Sequence, residues 1–324
     1  MTDVLTGALS LLLTLNPPQG LLPAGVEKTN GSLVMSTNDP LAIEFQALLK
    51  ADDEATDTVD KWIEALPDGA EVSPELKKQI DAHQDKVIRR YEAFLVKYPA
   101  HAPAVIAYGS FLGDIGDELG MVTMWEKARL MDPSSPAVWN NLAGHYAHQG
   151  PIEKGFTYME KAIELNPKEA QYWHSLGTIT FLFRLDAQKH FKTNEQGVFE
   201  KAFQFYDRAL ALRPFDFKLA TDVAQTWYGV RTLPAQSTEI ARQTEVKIVE
   251  SGLKAWTNAF RLASNDLEKE GIRLHFARWQ IRSGRWAEAR TNLDLVLDPS
   301  HAALKSRLDQ NWTAKQSTNS SPQL

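Results

Sequence analysis

Histidine side chains form the group whose spacing is best suited to metal chemistry. His145 and His148 lie about one helical turn apart, and His174 could come near His148 on a neighbouring helix. A zinc site needs a complete set of nitrogen, sulfur or carboxylate ligands. Asp114 is the one acid that we place on the same face, and the chain contains no cysteine. The sequence therefore predicts no metal site.

The common catalytic motifs are absent from the sequence. It contains no G-x-x-x-x-G-K-[ST], no H-E-x-x-H and no G-x-S-x-G. The acidic run Asp52–Glu54 could bind a cation, but we expect it to be solvated helix surface. The sequence thus predicts no catalytic residues, no cofactor and no enzymatic activity.

Composition restricts the class of partner. The chain has 324 residues, of which 43% are hydrophobic, and its net charge is -6. This suits a folded protein with a sizeable core. The basic residues do not gather into one run, so a phosphate backbone has no positive surface to bind and nucleic acid is not an expected partner.

Residues 1–38 resemble a targeting segment or a linker. The apolar stretch Gly7–Leu15 is too short to span a bilayer, and a positive leader is missing before it. It is either a short helix or a secretory signal or its remnant. Localisation is therefore cytoplasmic or, if residues 1–24 are a signal remnant, periplasmic or secreted. We expect no integral membrane segment, and we expect residues 16–38, which are rich in Pro, Gly, Ser, Thr and Asn, to be a linker after a disordered or signal-like N-terminal segment.

A long helical hairpin is predicted over 39–99. Asp39-Pro40 and Ser73-Pro74 each combine a favoured N-cap with a favoured first helical residue. Apolar residues follow at helical spacing, and Pro67 separates the two segments. We expect two long helices packed as an antiparallel pair.

A 34-residue period follows the hairpin. Pro133 and Pro167 are 34 positions apart, and the same offset relates Ala128 to Ala162 and Gly109 to Ala143. In 136–169, small, aromatic and proline residues recur at fixed places: Trp139, Leu142, Ala143, Tyr146, Ala162 and Pro167, with Gly155 where alanine is usual. This pattern resembles the tetratricopeptide repeat (TPR), a helix-turn-helix unit. The resemblance implies an all-α fold, an α-solenoid of antiparallel helix pairs wound as a right-handed superhelix.

Further repeats extend the array over 100–312. The third contains Trp173, Gly177, Ala202 and Pro214, the fourth begins near Phe217, and the fifth carries Gly284, Trp286, Ala287 and Pro299. Inserts are predicted at about 184–201, where Thr193–Gln196 reads as a capping box, and at about 231–252. A polar-faced helix at 301–312 would cap the array, and 313–324 is predicted to be a disordered tail.

The resemblance implies a binding groove lined by the first helix of each repeat. Mapping the repeat onto this chain places there a polar central set and an aromatic C-terminal set: Asn140, Asn141, His148, His174, Thr178, Phe181, Thr221, Gln225, Tyr228, Phe276 and Trp279. Chaperone-binding members of the family hold a carboxylate with cationic side chains. Here Ile106, Ser110, Gln171 and Ser175 stand at the corresponding places and only Asn141 matches, which disfavours that partner class.

The expected function is a protein-interaction scaffold that binds a peptide or partner protein in this groove. Two alternatives remain open. The chain could be a structural or assembly factor of a cell-envelope complex, or it could be an enzyme or enzyme regulatory domain with a site in the inserts.

Overall fold

A computed structural model describes residues 39–67, 69–231 and 238–319, and the backbone alone for 317–319. Across these ranges the chain forms α-helices and short 3₁₀ turns and no strand, which confirms the all-α prediction. The predicted N-terminal segment 1–38 and residues 320–324 lie outside the described part. No helix within it combines the length and apolar character that a membrane crossing requires.

Two compact units divide the chain between Ile179 and Thr180. We call the described parts the N-terminal unit (39–179) and the C-terminal unit (180–319). The division does not follow the predicted boundary at residue 99, because the hairpin and the first repeats share one core: Val87 and Phe94 of the hairpin belong to the same buried cluster as Val105 and Trp125.

The N-terminal unit consists of helices in successive pairs: α1 (Pro40–Glu64), α2 (Pro74–Lys97), α3 (Ala102–Asp114), α4 (Glu118–Met131), α5 (Pro136–Gln149) and α6 (Ile152–Leu165). The helix α7 (Ala170–Leu182) crosses into the C-terminal unit. As predicted, Asp39 and Ser73 cap α1 and α2 through their side chains.

The hairpin α1–α2 is antiparallel and is stacked as a further pair before α3. Lys97 at the end of α2 bonds Glu44 at the start of α1, at 2.6 Å. Phe45 contacts His101 at the start of α3, with ring centroids 4.6 Å apart. At the other end of α3, burial raises the pKa of Asp114, and the nearby carboxylate of Asp60, close to the end of α1, raises it further. Helix α1 therefore runs parallel to α3, as first helices of neighbouring repeats do.

One expectation for the hairpin was wrong. Asp52 is not part of a fully solvated surface, because its Oδ2 accepts a 2.5 Å hydrogen bond from the hydroxyl of Tyr91. The Tyr91 ring is fully buried and stacks on Tyr108 of α3 at 5.0 Å. A buried hydroxyl needs a partner, and Asp52 supplies it from α1.

Small residues sit where paired helices cross. A Cβ atom on Gly155 would lie 3.1 Å from the backbone nitrogen of Ala147 and 3.3 Å from the carbonyl oxygen of Ala143. In the preceding pair, a Cβ on Gly109 would meet the fully buried ring of Trp125 at 2.6 Å. The contact at Gly155 explains why glycine occupies a position where the repeat usually carries alanine.

Successive repeats share the same indole hydrogen bond. Trp139 Nε1 donates to the carbonyl of Pro133 at 2.8 Å, and Trp173 Nε1 donates to the carbonyl of Pro167 at 2.9 Å. Both donors and both acceptors are 34 residues apart, so the 34-residue period read from the sequence is a period of structure.

The C-terminal unit continues with helices of more variable length: α8 (Arg184–Phe191), α9 (Glu195–Leu212), α10 (Phe217–Thr226), α11 (Thr238–Leu262), α12 (Asp266–Arg282), α13 (Trp286–Asp294) and α14 (Ala302–Asn319). Short 3₁₀ turns follow α10 at Trp227–Gly229 and precede α14 at Pro299–His301. Its last core cluster joins α12, α13 and α14.

Three details of this unit differ from the sequence prediction. The N-cap of α9 is Asn194, whose Oδ1 accepts from Gly197 N at 3.0 Å, and not Thr193. In the fifth repeat, Ala289 is fully buried whereas Ala287 is exposed, because the turn at Gly284 (φ 75°) sets the phase of α13. Helix α14 continues to Asn319 beyond the predicted end at residue 312, since residues 313–319 contain neither glycine nor proline.

Two glycines of the pair α5–α6 should respond oppositely to substitution. Gly155→Val is expected to destabilise the protein by about 1–3 kcal/mol, because the new atoms meet the α5 backbone. Gly144→Ala, in the same pair, has open space around the new Cβ and should stabilise it by about 0.5–1 kcal/mol. Urea unfolding of both variants measures the difference, and equal effects would contradict the helix crossing described here.

Candidate functional site

The predicted groove residues of the N-terminal unit differ in accessibility. Asn140 and Asn141 are 7% and 3% exposed, and the Asn140 amide donates to Asn141 Oδ1 at 3.3 Å. His148 is exposed, and His174 and Thr178 are half-buried. The Thr178 hydroxyl donates to the carbonyl of His174 at 3.0 Å. The two asparagines thus lie within the helix packing, and the accessible polar surface of the predicted set comes from the other three residues.

The predicted lack of a metal site stays a prediction. No group of three His, Cys, Asp or Glu side chains within those ranges could hold an ion. His145 is half-buried on α5, and burial lowers its pKa. His148 lies near enough to His145 to lower that pKa further.

The predicted residues of the C-terminal unit lie at different depths. Phe181 is buried against Phe199, at a ring distance of 5.9 Å. The Thr221 hydroxyl donates to the carbonyl of Lys218, and Gln225 is half-buried one turn further along α10. Burial raises the pKa of the neighbouring Asp222 to about 6.

Tyr228 joins α10 to α11 and α12 through stacked rings. Its hydroxyl lies 3.0 Å from His275 Nδ1, and its ring stacks on Trp279 at 4.8 Å. His275 in turn stacks on Trp256 at 3.7 Å with an angle of 6° between the planes. Trp279 has no exposed surface, so this predicted groove residue belongs to the core. Phe276 lies beside Phe260 of α11, at 5.8 Å.

Arg278 is a surface feature that the sequence reasoning missed. Its guanidinium lies 4.2 Å from the centre of the Tyr228 ring, within cation–π range. One turn along α12, Arg282 pairs with Glu245 through two hydrogen bonds of 2.6 and 2.8 Å. Arg278 has no such partner among the residues that the structure describes. The sequence signal that could have identified it is the pair Arg278 and Arg282, which lie four positions apart on one face of a predicted helix.

The charge of Arg278 acts on the groups below it. Burial, with Arg278 adding to it, lowers the pKa of His275 to about 3, so this histidine is neutral. Burial raises the pKa of Tyr228, and Arg278 opposes that shift. We call Thr221, Gln225, Tyr228 and Arg278 the α10–α12 face. Chemically it offers one half-buried cation, an aromatic ring and two polar side chains.

Comparisons with known proteins give structural likeness alone. No family model and no curated protein matches the chain. Among solved structures, a TPR protein of Thermus thermophilus, TTC0263, is 16% identical and covers 65% of this chain and 98% of its own, with a TM-score of 0.41. Pseudomonas aeruginosa pilF is 12% identical over 84% of this chain and 99% of its own, with a TM-score of 0.49. MamA is 18% identical over 57% and 96%, with a TM-score of 0.39.

The fold assignment rests on the chain itself. Its helix pairs repeat, its small residues occupy the helix crossings, and its indole hydrogen bonds recur at the repeat period. These features give the described chain an all-α fold of repeated helix pairs with the 34-residue period of the tetratricopeptide pattern.

The neutral His275 makes stability depend on pH. An unfolded-chain histidine has a pKa of about 6.5. The folded value is about 3, so the unfolded state binds the proton more tightly between these values. The free energy of unfolding should therefore fall by up to about 1.4 kcal/mol for each pH unit below 6.5, and His275 should contribute no slope above that pH.

Urea unfolding between pH 4.5 and 7.5 checks this dependence. His275→Gln removes the titrating group and should give a shallower decline than the unsubstituted protein. His148→Gln, at an exposed histidine, is the matched control and should keep the original slope. A His275→Gln slope equal to that of the control would contradict the burial of a neutral ring.

Proposed function

We propose that the chain is a protein-interaction scaffold that binds a peptide or partner protein on the face formed by first helices of its repeats, with the α10–α12 face as the principal contact. Arg278 supports this proposal most directly. Its guanidinium is half-buried over an aromatic ring and lacks an acidic partner in the described chain. Removing a charge from water is unfavourable unless a counter-charge replaces the hydration.

The same observation suggests the chemistry of the partner. An aspartate or glutamate side chain can accept two hydrogen bonds from a guanidinium that Tyr228 already holds in place. Thr221 and Gln225 lie along the adjoining helix and can bond the backbone of an extended segment. His148, His174 and Thr178 form the accessible counterpart of this face in the N-terminal unit. The proposal requires no catalytic step.

Peptide selection on the intact chain tests the proposal. Peptides are selected from a random display library, and their affinities are measured by calorimetry. We expect acidic residues to be enriched, and Arg278→Gln to weaken binding about tenfold, which corresponds to about 1.4 kcal/mol. Arg208→Gln removes an exposed arginine from α9 and is the matched control, which should leave affinity unchanged.

Two results would contradict the proposal. One is the selection of peptides without acidic enrichment whose affinity is the same for the Arg278 and Arg208 variants. The other is a failure to select any peptide with the intact chain, while a TPR domain of known specificity yields its own ligand in parallel.

A further inference from the structure

A cleft in the C-terminal unit includes one predicted groove residue, Phe276, and none of the residues of the α10–α12 face. It has a volume of about 470 Å³ and lies among α11, α12 and α13. Leu253 and Phe276 give it apolar surface, and its other lining residues are polar or charged: Thr257, Gln280, Asn292, Glu250, Lys254, Arg285 and Glu288. Its volume falls within the range of about 300–1,000 Å³ that small-molecule sites in proteins span, and its lining is more polar than is usual for them.

The repeat register identifies the equivalent place in the N-terminal unit. The pair α12–α13 aligns with α5–α6 at three points that have the same separation in sequence. Gly150 and Gly284 both have a positive φ, of 72° and 75°. Ala143 and Ala277 are both fully buried, and Ala289 takes the crossing position of Gly155.

Two tyrosines fill that place in the N-terminal unit. Tyr146 and Tyr158 lie edge to face with centroids 5.6 Å apart, and they correspond to Gln280 and Asn292. Gln280 and Asn292 contact each other as the two tyrosines do, since Asn292 Nδ2 donates to Gln280 Oε1 at 3.0 Å. The cleft is therefore the space that two aromatic rings occupy in the equivalent repeat.

The surrounding contacts follow the same register. Lys154 lies over the Tyr146 ring at 4.6 Å, and the equivalent Glu288 accepts a 3.3 Å hydrogen bond from Gln280. The preceding helices α4 and α11 align with a different offset, at Trp125 and Trp256 and again at Ala128 and Ala259, all of which are buried.

That alignment also supplies a partner for a phenol hydroxyl. Glu126 accepts a 2.9 Å hydrogen bond from the Tyr146 hydroxyl. The residue at its place in the cleft is Thr257. A ring in the cleft would thus find a polar group where the tyrosine of the other repeat finds one.

We propose that this cleft binds a tyrosine side chain of a partner protein, which takes the place of the missing rings. Phe276 and Leu253 contact the ring. Thr257 bonds the phenol hydroxyl, as Glu126 does for Tyr146, while Gln280 and Asn292 line the cleft beside the ring. Lys254 borders the cleft and can stack its ammonium on the ring. The site is independent of Arg278.

Titration with p-cresol, the side chain of tyrosine, tests the site in the intact, isotope-labelled chain. Two-dimensional NMR follows the side-chain amides of Gln280 and Asn292 and the backbone amide of Thr257. We expect saturable shifts at these groups. The saturated analogue 4-methylcyclohexanol should bind at least fivefold more weakly, because it is similar in size but lacks the quadrupole of an aromatic ring.

Two variants make the result specific. Gln280→Tyr combined with Asn292→Tyr rebuilds the N-terminal arrangement, so the p-cresol shift at Thr257 should disappear while the rest of the spectrum stays dispersed. Phe276→Leu keeps the apolar volume and removes the ring below the ligand, and it should weaken binding severalfold. Arg278→Gln should leave the titration unchanged, which separates this site from the α10–α12 face.

Three outcomes would overturn the proposal. The first is the absence of saturable shifts at Thr257, Gln280 and Asn292. The second is equal binding of the saturated alcohol, which would indicate a cleft without preference for a ring. The third is an unchanged p-cresol response in both the double tyrosine variant and Phe276→Leu, which would place the ligand elsewhere.

Discussion

The close approach of two helices at a small residue is the constraint on which this structure depends. At Gly155 the neighbouring helix comes so near that one added carbon would touch backbone atoms. At Gly109 the space that a side chain would need is taken by Trp125. Each crossing fixes the distance and phase of one helix pair, and the phase decides which side chains face the core, the next pair or solvent.

Helix types and the repeat period could be predicted from the sequence because they depend on local chemistry. Asp39, Ser73 and the prolines beside them determine where helices begin, and the regular small and aromatic positions determine which helices pair. The fifth repeat shows the limit of this reasoning. Ala287 fits the pattern nearly as well as Ala289, and only the backbone turn at Gly284 decides between them.

The candidate site was harder to predict because it depends on depth. The position of a residue in a helical repeat predicts which face of the helix it is on. How much of that face is covered depends on the neighbouring helix pairs. Asn140, Asn141 and Trp279 are on the expected helices, yet all three are buried. Arg278 could not be singled out from the sequence, because what distinguishes it is the lack of an acidic partner among the described residues. The cleft could not be predicted, because it lies where the equivalent repeat has two aromatic rings. Such differences become visible only when the side-chain contacts of one repeat are compared with those of another.

The recurring indole bond has a consequence for how such a chain can change length. Trp139 and Trp173 each bond a carbonyl six positions earlier, in the loop that joins the preceding repeat to their own. Because donor and acceptor are only six positions apart, duplication or deletion of a whole 34-residue period leaves a donor and an acceptor at every remaining junction. Gene duplication can therefore add modules of this kind without redesigning the joint, and the N-terminal unit preserves two copies of that joint.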